Sequence, residues 1–111
     1  MYQVLDFKIE PQSKVVIDDQ LKSQYQGISA LVIWTPEYED IRNIDVELKI
    51  DASEVLPAGF PAELHSINNF RNNEDCTLKL DFPKNSRIEG IITNGNDKAV
   101  DISLIFTVKL K

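Results

Sequence analysis

The 111-residue sequence is poor in the residues that most often carry chemistry: it holds one cysteine, Cys76, and one histidine, His65. A single cysteine excludes an internal disulfide. A zinc site needs several nitrogen or sulfur ligands, and metal sites of the cupin kind need several histidines, so both classes are disfavoured. No apolar run approaches the roughly 20 residues that span a bilayer as a helix.

Positive charge is also scarce. Twelve lysine and arginine residues face 18 acidic ones, which gives a formal net charge of −6. Such a field repels phosphate groups on average, so we expect neither nucleic acid nor an anionic membrane as a partner. The first residues have no basic region and no apolar stretch of the secretory kind, so we expect synthesis and folding in a cytoplasm.

Strict alternation of apolar and polar residues is the main positive signal. It is longest in residues 99–110, where six apolar residues alternate with polar ones and Ile105 is the only break. A period of two places the apolar side chains on one face of a strand. The same reading predicts further strands at residues 2–10, 14–18, 44–50, 76–82 and 87–93. Residues 28–35 (ISALVIWT) are almost continuously apolar, which predicts a central strand covered on both faces.

The segments between these strands contain turn and loop signals. Residues 94–97 (NGND) form a strong turn signal, and Gly90 inside a predicted strand indicates a bulge. Residues 51–73 are irregular, with a short helical turn predicted around residues 61–65. Seven or eight strands at intervals of about ten residues indicate one all-β domain over residues 1–111, an antiparallel β-sandwich or barrel. We expect its core to contain the following residues: Val46, Leu48, Leu78, Leu80, Ile102, Leu104 and Phe106.

Few residues are candidates for catalysis or metal binding. Cys76 and His65 could form a nucleophilic pair. However, Cys76 is in phase with the apolar residues of its predicted strand, which predicts a buried structural thiol and a dispensable His65. The acidic clusters at 18–19, 37–40 and 74–75 lack the spacing of a calcium loop, so solvated loop charge is the favoured interpretation. We expect no cofactor.

Aromatic residues outside regular strands are the candidates for partner contacts, because exposed aromatic side chains anchor sugars and proteins. We predict possible contacts at Tyr25, Tyr38 and Phe70, of which Phe70 is the best candidate for exposure. Trp34 ends the apolar strand and is expected in the core. Phe60 is expected to close one end of the sandwich.

Residues 53–61 (SEVLPAGFP) follow a regular strand, and a polar loop, two strands, an Asn-Gly turn and the long terminal strand DKAVDISLIFTVKLK come next. This layout resembles small jelly-roll or β-sandwich structural proteins of bacteriophage particles. The resemblance implies a jelly-roll-like fold and a non-enzymatic virion component, a homo-oligomer or a partner of other virion proteins. It supplies no motif from which a functional residue could be transferred.

The sequence therefore leaves three functions open. The first is an assembly protein that self-associates, through the last strand as a sheet edge or through the face of that strand. The second is a binding module of the lectin kind, with a glycan or protein held by loops at one end. The third, a small enzyme on a jelly-roll scaffold, is disfavoured by the single histidine.

Overall fold

The chain is built almost entirely from antiparallel strands. The computed structural model describes residues 1–67 and 73–110, apart from the side chains of residues 38, 73 and 74. Within these residues the strands are β1 (Tyr2–Ile9), β2 (Ser13–Gln20), β3 (Gly27–Trp34), β4 (Ile44–Ile50), β5 (Ser53–Leu56), β6 (Leu78–Pro83), β7 (Arg87–Asn94) and β8 (Val100–Lys109). Two 3₁₀ turns, Tyr38–Asn43 and Ala62–His65, and one short helical turn, Asn73–Cys76, lie in the connections. The all-β fold predicted from the alternation is confirmed.

The strand pairing follows one simple rule. Strand β1 pairs with β8, β2 with β7, β3 with β6 and β4 with β5, as in one long antiparallel ribbon. Rolling that ribbon adds the pairs β3·β8 and β4·β7. The result is two four-stranded sheets with the orders β1-β8-β3-β6 and β2-β7-β4-β5, called below the 1-8-3-6 sheet and the 2-7-4-5 sheet. This is the strand order of an eight-stranded jelly roll.

The inner faces of the two sheets pack together to form the core. Every second residue of β4 and of β8 is buried, as the period of two requires. Five of the seven predicted core residues have at most 1% of their surface exposed: Val46, Leu48, Ile102, Leu104 and Phe106. Leu78 and Leu80 are only half-buried against this core. They lie on β6, an edge strand, where a neighbouring strand covers one side alone.

Three sequence-based expectations about strands need correction. Strand β8 is not a sheet edge, because it lies between β1 and β3 with hydrogen-bonded partners on both sides. Strand β5 falls inside the segment expected to be irregular, since four residues are too few to show a clear alternation. Cys76 belongs to the short helical turn before β6 rather than to the strand itself, although its side chain is fully buried as predicted.

Gly90 does not form the predicted bulge. The register of β7 continues unbroken past it on both sides, opposite Ile17 of β2 and Leu48 of β4. A Cβ atom at this position would lie 2.0 Å from the backbone carbonyl oxygen of Glu47. The glycine therefore permits a close approach of two strands, the other common reason for a glycine inside a strand.

A buried asparagine joins the two sheets at one end. The side chain of Asn94, at the end of β7, is fully buried. Its Nδ2 donates to the carbonyl oxygens of Ile9 at 3.1 Å, Glu10 at 3.2 Å and Lys98 at 2.9 Å, while its Oδ1 accepts from the backbone nitrogen of Asn96 at 2.9 Å. These bonds fix the predicted Asn-Gly turn and connect β7 to the end of β1 in the opposite sheet.

Candidate functional site

Of the three aromatic residues predicted as partner contacts, Tyr25 alone has a described side chain. Tyr25 is corrected by the structure: only 7% of its surface is exposed and it packs in the hydrophobic core. Its ring is therefore held by the core and offers little surface to a partner. The Tyr38 side chain and all of Phe70 lie outside the described residues.

Two other aromatic residues behave differently from each other. Trp34 was expected in the core but is 43% exposed, because it points outward at the end of β3. Phe60 is partly buried against the core, and its ring stacks on the His65 ring with a centroid distance of 5.6 Å and an interplanar angle of 12°. Both rings belong to the segment that follows β5.

His65 and Cys76 lie near each other, as a nucleophilic pair would require. However, the hydrogen bond between them joins the His65 ring to the backbone of Cys76 and not to its thiol. Nδ1 of His65 lies 3.0 Å from the backbone carbonyl oxygen of Cys76. A carbonyl oxygen only accepts, so Nδ1 carries the proton and donates. Among the described residues no group of three or more His, Cys, Asp or Glu side chains is placed to hold a metal ion. Nor does any helix in that part of the chain have the length and apolar character needed to cross a membrane.

The most unusual surface is the outer face of the 1-8-3-6 sheet. Three strands place apolar side chains there in register: Val4 of β1 lies opposite Ile105 of β8, which in turn lies opposite Val32 of β3. Two further rows flank this one, Tyr2–Thr107–Ala30 on one side and Asp6–Ser103–Trp34 on the other. We call these nine residues the apolar face.

Several side chains of the apolar face are strongly exposed for their type. Tyr2 is 61% exposed, Val4 47% and Trp34 43%. A shallow depression of about 470 Å³ lies over the middle of the face, and it is lined both by the sheet, through Tyr2, Val4, Val32, Ile105 and Thr107, and by Ile67 and Thr77 of the connection before β6. Contiguous apolar surface of this kind usually marks a site of interaction, since isolated exposed apolar residues are normal but grouped ones are not.

The outer face of the 2-7-4-5 sheet has a different chemistry. Its rows are Lys14–Thr93–Asp45, Val16–Ile91–Glu47 and Asp18–Glu89–Lys49. We call these nine residues, together with the further pair Gln20–Arg87 and with Glu54 beside Lys49, the charged face. Only Val16 and Ile91 are apolar, and Arg87 forms ion pairs with Asp18 at 2.7 Å and with Glu89 at 3.1 Å.

The two faces also differ in net charge. The charged face carries three positive and five negative side chains, a formal charge of −2. The outward side chains of the 1-8-3-6 sheet include three positive and three negative groups, which balance: Lys8, Lys79, Lys109, Asp6, Asp81 and Asp101. These charges lie at the margin of the apolar face, apart from Asp6.

One ion pair at this margin is resolved in detail. Lys109 Nζ donates to the carboxylate of Asp81, and this hydrogen bond, with the positive charge of Lys109, holds the pKa of Asp81 below its ordinary value. Because the carboxylate is exposed to solvent, the pair contributes little to stability and its partners can be exchanged.

The sequence carried two signals for the apolar face that did not lead to its prediction. Ile105 is the only break in the alternation of the last strand, and the structure shows that it points outward at the centre of the face. The continuous apolar run of β3 predicted a strand covered on both faces. In the described part of the chain only its inner face is fully covered, while on the outer face Val32 is half-buried and Trp34 is 43% exposed.

The sequence matches no protein-family model and no curated protein, and the fold matches no solved structure, at a level that indicates a relationship.

Proposed function

We propose that this protein is a non-enzymatic structural protein of a bacteriophage particle, which acts by association of folded domains. The observation that carries the proposal is the apolar face, a contiguous patch spread over β1, β8 and β3. A folded domain gains nothing from exposed Tyr2, Val4 and Trp34 side chains around the half-buried Val32 and Ile105 unless a partner removes them from water. Burial of apolar surface stabilises association by roughly 25 cal/mol per Å² before the opposing entropy is counted.

The particle context rests on the resemblance of the chain layout to small phage structural proteins. The jelly-roll strand order agrees with that resemblance, since it is the fold that the layout implied. A fold alone hosts many functions, so the surface carries the argument for association and the resemblance carries the argument for a virion.

The proposal is tested by the state of the native protein in solution and in particles. Light scattering at micromolar concentration should show a species larger than the 12.6 kDa chain, or the chain should co-purify with a phage particle produced from the same genome. A 12.6 kDa species that stays monomeric on concentration and joins no particle would contradict the proposal.

A glycan-binding module is the second candidate, and the exposed indole of Trp34 is the observation that favours it. The indole lies beside Asp6 and Ser103, whose side chains are hydrogen-bonded to each other at 2.5 Å. Sugar rings bind to such combinations of a flat aromatic surface and polar groups. Trp34 is the only tryptophan of the chain, so its fluorescence should change on titration with the bound sugar and stay constant with all others.

A further inference from the structure

We propose that a second copy of this chain covers the apolar face, sheet against sheet, around a two-fold axis that passes by Ile105. This inference rests on the proposed function, because it names the partner that the apolar face receives. A two-fold contact of this kind places the same surface on both copies, so the face must be complementary to itself.

The outward side chains of β8 have this self-complementarity. In chain order they are Asp101, Ser103, Ile105, Thr107 and Lys109. When two such strands face each other in antiparallel directions, with the axis at Ile105, the isoleucines meet. Ser103 then lies opposite Thr107 of the other copy, and Asp101 opposite Lys109. The strand is therefore hydrophobic at the centre and carries opposite charges at equal distances from it.

The rows beside β8 obey the same symmetry. The axis runs along the row Val4–Ile105–Val32, so the two flanking rows exchange places between the copies. Trp34, the largest side chain of the face, then lies over Ala30 of the second copy, the smallest one. Tyr2 lies over Asp6, where its hydroxyl group can donate to the carboxylate. Large side chains thus meet small ones, and no like charges meet across the axis.

The distances permit the charge pairing. Asp101 and Lys109 each lie four residues from Ile105, roughly 13 Å along the strand. Packed sheets cross at about 30°, which displaces facing strand ends by roughly 7 Å, within reach of a lysine side chain. In the single chain Lys109 is paired with the exposed Asp81, and such an exposed pair is weak enough to be replaced or shared.

Charge also decides which face two copies can bring together. Each chain carries a formal charge of −6, so two copies repel each other in most orientations. Contact through the charged face would bring a charge of −2 against another −2. The formal charges of the outward side chains of the 1-8-3-6 sheet sum to zero. All of the charged groups except Asp6 lie at the margin of the apolar face, so the centre of the contact is uncharged. Of the two outer faces, the apolar face is therefore the one on which self-association meets less repulsion.

The area is sufficient for a specific but weak dimer. With two aromatic side chains, three branched aliphatic ones and four small or polar ones, the apolar face exposes on the order of 500 Å² per copy. Two copies would bury about 1,000 Å² in total, the lower limit for a specific interface. We therefore expect a dimer that forms in the range of roughly 1–100 μM protein.

Sedimentation equilibrium with a matched pair of variants tests the face. The wild-type chain should reach a mass of about 25 kDa, twice 12.6 kDa. Ile105→Lys places two ammonium groups against each other at the axis and should weaken the dimer about 100-fold or more. Ile91→Lys is the control, since Ile91 is also half-buried on a central strand but belongs to the charged face. It should leave the dissociation constant unchanged.

Charge reversal tests the antiparallel orientation. Asp101→Lys and Lys109→Asp should each weaken the dimer about tenfold, because each places like charges across the interface twice. The double variant restores opposite charges between the copies while leaving both changes in each chain. It should therefore return to within about threefold of the wild-type dissociation constant. A double variant as weak as the sum of the two single changes would overturn the orientation.

The outcomes separate this inference from the proposed function. If the wild type assembles and Ile105→Lys assembles equally well, the two-fold packing is wrong and association through another surface stands. Closed trimers or rings held by one repeated contact would overturn it as well. If the wild type stays monomeric but joins a phage particle, the second copy is excluded and a different virion protein takes its place. A monomer that joins nothing contradicts both proposals.

Discussion

The two sheets of this protein are alike on their inner faces and opposite on their outer faces. Inside, each sheet contributes a continuous layer of fully buried branched side chains, such as Leu104 on one side and Ile92 on the other. Outside, the 2-7-4-5 sheet carries mainly charged groups, while the 1-8-3-6 sheet carries the apolar face. The inner faces are dictated by the need for a core. Folding does not require the outer faces to differ, so this difference indicates what the protein does after it has folded.

The prediction with the largest expected effect tests whether the inner faces of the two sheets contribute equally to the core. Leu104→Ala in β8 and Ile92→Ala in β7 each remove a fully buried branched side chain from a central strand. Both variants should lose about 2–5 kcal/mol of folding stability, the range for such cavities. Urea unfolding of the two variants measures this loss. If one were near neutral, the two sheets would not share one core.

The second prediction concerns the close approach of strands within the 2-7-4-5 sheet. Gly90→Ala places a methyl group 2.0 Å from a backbone carbonyl oxygen that cannot rotate away, so β7 and β4 must separate. We expect a loss of about 2–3 kcal/mol, typical of overpacking. Gly59→Ala is the control, since its added methyl group meets no atom within 4 Å and only the φ of +78° opposes it, at about 1 kcal/mol. Equal thermal stability of the two variants would argue against the close approach.

The third prediction tests the polar connection between the sheets. Asn94→Ala removes three hydrogen bonds to carbonyl oxygens, one of them to Ile9 in the opposite sheet, and leaves these acceptors buried or partly buried. The expected loss is about 1–3 kcal/mol. Asn43→Ala, which removes one exposed bond to Asn96, should change stability by less than about 0.5 kcal/mol. Chemical denaturation of both variants measures the difference between their stability losses. Equal losses would show that the hydrogen bonds of Asn94 are dispensable.

The smallest expected effect is a gain in stability in the β4–β5 hairpin of the 2-7-4-5 sheet. Asp51 and Ala52 both have positive φ, 51° and 64°, as a two-residue hairpin turn of type I′ requires. Glycine adopts this conformation without the strain of a Cβ atom, so Ala52→Gly should stabilise the fold by about 0.5–1 kcal/mol. Ala58→Gly, at a residue without positive φ, should have the opposite sign. A melting temperature that falls in both variants would contradict the turn assignment.

Much of the fold was predictable because strand periodicity is a local property. The alternation in Ile44–Ile50 and in the last strand identified the buried side of each strand, and the structure confirms Val46, Leu48, Leu104 and Phe106 in the core. The errors also have local causes. Strand β5 is too short to show a period, and Gly90 gives the same signal for a bulge as for a close approach.

The candidate surface was far less predictable, because it is assembled from distant parts of the chain. Val4 and Ile105 are about a hundred residues apart in sequence and lie side by side in the sheet. The sequence predicts contacts at aromatic residues in loops and a core position for Trp34, yet Tyr25 is buried and Trp34 is exposed. A side chain at the end of a strand points inward or outward according to its phase, and its accessibility then depends on which elements lie above it.

The sequence by itself determined that the chain forms strands and which side chains of each alternating strand face the same way. Tertiary structure alone decided that β8 lies between β1 and β3, and hence that Val4, Ile105 and Val32 form one row. The physical reason is that a period of two follows from the geometry of the extended backbone at each residue, whereas neighbours in a sheet are selected by long-range pairing. Only that pairing turns three scattered apolar residues into a surface.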